Sequence, residues 1–193
     1  MATDLPLVAV LAAGRARRFG GGKLDAPCAG KPLGQWALDA VSEAGLEPGM
    51  IVVGPQVPRF ALEARGWHLL HNPDPAAGQG GSVALAARHA AMQGRALLVL
   101  LADMPMVDPA HLRRLAGCAV NAATRYPDGR AGVPVCLRGA ALGKLEALSG
   151  ERGAGAILSG LAGLEVLEAE ADSLIDVDSP EDLERARRML AGC

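Results

Sequence analysis

The stretch "LAAGRARRFGGGKLD", residues 11–25, sets glycines at 14, 20, 21 and 22 beside Arg15, Arg17, Arg18 and Lys23. Glycine at such positions lets backbone N–H groups approach a ligand with no Cβ in the way. The cations can neutralise a polyphosphate that backbone dipoles alone would hold weakly. A solvated basic loop whose glycines merely turn the chain fits the composition equally well. Two familiar phosphate loops are excluded. A Walker loop needs glycine at 17 and Ser or Thr at 24, where Arg17 and Leu24 stand. The dinucleotide fingerprint accepts Gly20 and Gly22 but needs glycine where Asp25 stands.

Further chemistry-bearing residues stand at similar places along the chain. Asp103 follows the most apolar run, 96–101, and precedes Met104-Pro105, where proline restricts Met104 to an extended backbone. Asp178 follows the short stretch 174–177, apolar except for Asp176. Gln79, Gly80, Gly81 and Ser82 close the Pro- and Gly-rich loop "NPDPAAGQGG", with Ser82 also a possible cap for the next helix.

The elements that position these residues read as alternating strands and helices. Strands are expected over 5–11, 50–53, 67–70, 96–101 and 174–177. Leu33, Trp36, Ala37, Ala40 and Val41 share one face of a helix over 32–44, with Gly45 as its stop. Further helices are expected over 58–64, 82–92 and 109–115, the last capped by Asp108 with Pro109 in its first turn. "YPDGRAGVPV" places a turn between two extended pieces, and two helical pieces flank "SGERGAG". "SPEDLERARRML" closes the chain as a helix with Ser179 as cap and Asp182 completing the capping interaction.

This order predicts a single α/β domain over 1–193, a mostly parallel sheet with helices on both faces. Ligands in such sheets lie beyond the carboxyl ends of the strands. The glycine-rich loop, residues 72–82, Asp103 and Asp178 all follow predicted strands, so they share that edge.

Composition narrows the partners. The chain has 193 residues and a formal net charge of -2, which implies neither nucleic acid nor a membrane surface, so an anion site must be local. No apolar run approaches bilayer length. Cys28, Cys118, Cys136 and Cys193 form no C-x-x-C pair, and a reduced, cytoplasmic protein is expected. Aromatics make up only 3% of residues, so Ala, Leu and Val must fill the core.

Taken in order, the segments resemble the MobA-like nucleotidyltransferases of molybdenum cofactor biosynthesis, and the cytidylyltransferases among them most. The resemblance rests on the opening loop, "NPDPAAGQGGSVALA", "LLVLLADMPMVDPAHL", "GVPVCLRGAALGKLEALSGERGAGAIL" and "LIDVDSPEDLERA". It implies a Rossmann-like nucleotidyltransferase fold and a reaction in which the phosphate of a molybdopterin-type cofactor attacks the α-phosphorus of CTP and releases pyrophosphate. An ionised phosphate needs no protein nucleophile or base, so His68, His71, His89 and His111 need no catalytic role. Catalysis rests on alignment and charge.

The same resemblance implies parts for residues. Leu11, Ala12, Ala13 and Gly14 lie along the nucleotide, with Gln79, Gly80, Gly81 and Ser82 near base and ribose. Arg18 and Lys23 hold the triphosphate, Lys23 facing the leaving pyrophosphate, and Arg15 and Arg17 compete with Arg18 for phosphate contact. Asp103 and Asp178 bind Mg²⁺, with Asp176 as the fallback. Residues 132–135 and 150–154 match the pterin region, where Glu151-Arg152 replaces the usual Asp-Lys pair. A client of the xanthine dehydrogenase type is implied. Transfer of GMP, transfer of CMP to another phosphorylated acceptor, and a cofactor-binding chaperone are the alternatives.

Overall fold

The computed structural model describes residues 5–14, 19, 21–74, 78–150 and 152–192. Its strands are β1 (Leu7–Ala12), β2 (Pro27–Cys28), β3 (Lys31–Pro32), β4 (Met50–Val53), β5 (His68–His71), β6 (Leu97–Leu101), β7 (Ala122–Arg125), β8 (Ala131–Leu137) and β9 (Glu165–Glu168). The helices are α1 (Gln35–Glu43), α2 (Arg59–Glu63), α3 (Gly78–Met92), α4 (Pro109–Gly117), α5 (Ala140–Glu146), α6 (Gly155–Leu158) and α7 (Pro180–Ala191).

Seven strands form one sheet in the order β5-β4-β1-β6-β8-β7-β9, and β2 and β3 form a separate hairpin. Pairing is parallel from β5 through β6 and again between β7 and β9. Only β8, among the described strands of this sheet, runs against its neighbours β6 and β7. The expected α/β class and mostly parallel sheet are therefore present.

β1 and β4 are buried along their whole length, which is why they read as unbroken apolar runs. Alternate residues serve opposite faces. Val8, Val10 and Ala12 join a core built from α1, α2, α4 and α7, whereas Leu7, Ala9 and Leu11 join one built from α3, α5 and α6. Alanines on α3 (Ala86, Ala87 and Ala90, all fully buried) let that helix lie close to the sheet.

Three element boundaries depart from expectation. Residues 174–177 form no strand: Ala171–Leu174 is a 3-10 turn, and the Val177 N–H donates to the Asp103 carbonyl at 2.9 Å instead of to a ladder. The strand of this region is β9, only four residues long, with exposed Glu165 and Glu168 at its ends and half-buried Val166 and Leu167 between them, so it carries little apolar signal. Helix α3 starts at Gly78, not Ser82; Ser82 is buried within the helix, its hydroxyl accepting from Asn72 Nδ2 at 3.1 Å, and so is not the cap. Helix α1 starts at Gln35 because Lys31–Pro32 pairs with Pro27–Cys28 in the hairpin.

Candidate active site

β1 ends at the centre of the sheet, and the chain beyond it opens the site. A cleft of 490 Å³ is lined on one side by Ala12, Ala13, Gly14, Gly21, Gly22 and the turn Lys23–Asp25, and on the other by Gly54, Pro55, Gln56, Val57 and Pro58 after β4. Both walls follow parallel strands at their carboxyl ends. Gly22 adopts φ 63°, a left-handed conformation that favours glycine, and this turns the chain into Lys23.

Lys23 is 7% exposed, and its ammonium meets two carboxylates. Nζ donates to Asp103 Oδ2 at 2.7 Å and to Asp178 Oδ1 at 3.2 Å. Asp103 follows β6, while Asp178 precedes α7 and is more exposed. The backbone explains their meeting. Val177 is tied to the Asp103 carbonyl, and the Asp178 N–H donates to Asp182 Oδ2 at 3.1 Å. Asp182 in turn completes a capping box with Ser179 at the start of α7. The closing helix therefore holds Asp178 against the edge of the sheet, although no strand precedes it.

Burial would pull the Lys23 pKa down, but the charge of Asp103 and the hydrogen bonds to Asp103 and Asp178 hold it above the ordinary value. The ammonium is therefore charged at neutral pH. Asp176 is shifted too: partial shielding of its carboxyl from water, then the charges of Asp103 and Asp178, raise it above the ordinary carboxylate value. Burial, with Asp176 and Asp103 nearby, pushes Tyr126 up to about 12. Its hydroxyl donates to the Val133 carbonyl at 2.7 Å.

A cation already bridges Asp103 and Asp178, so their oxygens converge on a point that accepts positive charge. Among the described residues no group of three or more His, Cys, Asp or Glu side chains is placed to hold a metal by itself. Two carboxylates suit Mg²⁺, which takes few protein ligands and shares phosphate oxygens.

The site residues expected from sequence separate into two groups. Ala12, Ala13, Gly14 and Lys23 line the cleft, and Lys23 brings Asp103 and Asp178 to it. The Leu11 side chain belongs to the core. Gln79, Gly80, Gly81 and Ser82 lie in the first turns of α3 and do not line this cleft. Gln79 and Gly80 face Ser149, Gly150, Arg152 and Gly153 instead. The Gly80 N–H donates to the Gly150 carbonyl at 2.8 Å, and a Cβ on Gly80 would stand 2.8 Å from the backbone of Ser149 and Arg152. A Cβ on Gly153 would stand 2.5 Å from Gln79 Oε1. Arg15, Arg17, Arg18 and Glu151 lie outside the described residues. Residues 54–58 were not expected at the site. Their signal is positional, since they follow a short buried parallel strand beside β1.

Comparison with known proteins places this geometry. A family model described as the MobA-like NTP transferase domain matches residues 8–167. The chain belongs to the MobA-like NTP transferase family. Among curated relatives of this transferase, the purine catabolism protein PucB of Bacillus subtilis is 30% identical, over 94% of this chain and 95% of its own. The crystal structure of Rv0371c from Mycobacterium tuberculosis superposes with a TM-score of 0.82 at 27% identity, covering 95% of this chain and 98% of that one. A manganese complex of Rv0371C gives 0.75 at 25% identity over the same shares of each chain. Molybdopterin-guanine dinucleotide biosynthesis protein A from Archaeoglobus fulgidus shares the fold, with a TM-score of 0.65 at 21% identity over 96% and 99% of the chains.

Proposed function

We propose that this transferase moves CMP from CTP to the terminal phosphate of a molybdopterin-type cofactor, with Mg²⁺ and release of pyrophosphate. The observation that carries the reading is the convergence of Lys23, Asp103 and Asp178 at a glycine-rich cleft beyond the end of β1. The order of segments in the sequence favours CTP. The designation of PucB as a purine catabolism protein supports a client of the xanthine dehydrogenase type. The manganese complex of Rv0371C supports a divalent cation.

An acceptor phosphate oxygen attacks the α-phosphorus, and the bond from that phosphorus to the bridging oxygen breaks. The chain contributes alignment and charge. Ala13, Gly14, Gly21 and Gly22 present backbone to the nucleotide without bulk. Lys23 supplies positive charge where it grows on the leaving pyrophosphate. Asp103 and Asp178 would hold Mg²⁺, which when bound would supply positive charge against the repulsion between the acceptor and nucleotide phosphates. Residues 132–135 of β8, braced by Tyr126, and residues 150–154 would carry the acceptor.

Thermal shift against CTP, GTP, ATP and UTP with Mg²⁺ tests the nucleotide, because a ligand that binds only the folded state raises the melting temperature. CTP should give the largest shift. Equal shifts from CTP and GTP, or none, overturn CTP selectivity, and a shift from GTP alone points to GMP transfer. Turnover of CTP with the pterin acceptor then separates a transferase from a binding protein.

A further inference from the structure

The Asp25 side chain joins the two segments that line the cleft, beyond the point where β1 and β4 pair. Helix α2 begins after Pro58, which sits at the capping position in an extended conformation and offers no side-chain acceptor. The first amides of a helix have no partner inside it and need one from elsewhere. Asp25 supplies it from the opposite wall. Its Oδ2 accepts from the Arg59 N–H and its Oδ1 from the Phe60 N–H, both at 2.8 Å.

Asp25 is also the last residue of the turn that begins with Lys23. That turn is closed by Asp25 N–H to the Gly22 carbonyl and Ala26 N–H to the Lys23 carbonyl, both at 3.1 Å. On its far side, Gly34 N–H donates to the Leu24 carbonyl at 2.9 Å. The ring of buried Phe60 lies against Gly34 so closely that a Cβ there would be 2.5 Å from it. Thus the turn carrying Lys23 and the helix continuing the 54–58 loop form one unit, joined through both carboxylate oxygens. The Lys23 wall carries charged side chains, Lys23 with its partners Asp103 and Asp178, whereas 54–58 has none.

We propose that Asp25 is a positioning residue that sets the separation of the two cleft walls, and with it the affinity for a nucleoside triphosphate that spans them. This rests on the nucleotidyltransferase reading above. It differs from a role in stability alone, because it requires ligands that span the cleft to respond differently from ligands that touch only the Lys23 wall.

The test uses Asp25→Ala and Asp25→Asn, the latter keeping one acceptor oxygen and the fold. The probes are the nucleoside triphosphate giving the largest thermal shift on the wild type, and inorganic tripolyphosphate, each titrated calorimetrically with Mg²⁺ well below the melting temperature. In Asp25→Ala the nucleotide Kd should rise about tenfold, the scale of losing a preorganised wall, while that for tripolyphosphate changes less than about twofold. Asp25→Asn should fall between wild type and Asp25→Ala. If both ligands weaken together, or neither does while the melting temperature falls, Asp25 is a turn anchor or a helix cap and the proposal fails. A wild type that prefers another nucleoside triphosphate overturns the CTP reading and leaves this test standing with that nucleotide. A wild type that binds none overturns both.

Discussion

At the scale of single residues, the site is organised by one lysine. An ammonium is a compact point charge with several donors, and Lys23 uses it to join Asp103 and Asp178, which arrive from different parts of the chain. Replacing it by methionine keeps the volume and removes the charge, leaving two carboxylates facing each other. Breaking a fully buried pair is worth about 3–5 kcal/mol, but Asp178 is half exposed and its share is screened. Lys23→Met should therefore lower stability in urea denaturation at pH 7 by about 1–2 kcal/mol. Turnover at saturating nucleotide should fall by roughly 10²-fold or more, the scale of losing one preorganised charge. Near-normal turnover would make Lys23 a structural ion pair only. Because the folded pKa of Lys23 is raised, its contribution is complete below the unfolded value near 10.5 and disappears as pH rises through the folded value. No loss of this contribution belongs to neutral pH. Asp103→Asn should keep the fold, since asparagine is similar in shape, yet abolish divalent-metal-dependent transfer, with Asp178→Asn nearly as severe. A folded Asp103→Asn enzyme of ordinary activity would refute the metal role. Lys23 stood out in the sequence only through the family resemblance, since the loop holds four cations, whereas Asp103 also stood out as a carboxylate after an apolar strand. Their ion pair was not legible there, since it joins residues 80 positions apart in the chain.

At the scale of elements, sequence patterns located buried strands well and misplaced the pieces held by long-range contacts. β1, β4 and β6 were readable because a strand covered on both faces must be apolar throughout. β9 was missed: a short edge strand with a glutamate at each end and no fully buried residue carries a weak apolar signal, and residues 174–177 carry a stronger one. The start of α3 was misread for a related reason. Capping preference favours Ser82, but Gly78 to Gly81 enter the helix, and the glycine at 80 is required by a neighbour. A Cβ there would stand 2.8 Å from backbone of Ser149 and Arg152, well inside ordinary contact. Gly143 in α5 gives the contrast, since a Cβ added there would meet nothing within 4 Å. Gly80→Ala should destabilise by about 1–3 kcal/mol as the backbone of Ser149 and Arg152 is pushed away. Gly143→Ala should stabilise by up to about 1 kcal/mol from helix propensity alone. Denaturant midpoints of the two variants read both signs, and a harmless Gly80→Ala would show that this backbone yields freely. If residues 150–154 serve the acceptor, Gly80→Ala should also raise the acceptor KM more than the nucleotide KM.

At the scale of the whole molecule, one polar chain ties the helical layer to the antiparallel end of the sheet. Arg114 of α4 donates to His111 Nδ1 at 2.9 Å and to the Glu168 carbonyl of β9 at 2.7 Å. A guanidinium only donates, so Nδ1 is the acceptor and Nε2 carries the proton. Nε2 then donates to Thr124 Oγ1 of β7 at 2.8 Å, and the Thr124 hydroxyl donates to the Pro134 carbonyl of β8 at 2.6 Å. His111 is 1% exposed and Thr124 fully buried, so the arrangement suits a neutral imidazole. Burial and the Arg114 charge lower the His111 pKa, and Asp108 only partly opposes them. The unfolded chain therefore binds a proton near pH 6.5 that the folded protein refuses until lower pH. Between those two values the unfolded state holds more protons, so stability falls as pH falls, and above about 6.5 the contribution of His111 is complete. The limiting slope for one proton is about 1.4 kcal/mol per pH unit. Unfolding free energies from denaturant titrations between pH 5 and pH 8, for the wild type and for His111→Gln, isolate this residue from other titrating groups. The variant should be less stable at pH 8, where it loses a satisfied network, and should show a shallower decline below pH 6.5. Parallel profiles would mean that the imidazole titrates alike in both states. The acid sensitivity of the fold would then have to come from its carboxylates, beginning with Asp182, whose depressed pKa links acid to the loss of the α7 cap and of the hold on Asp178.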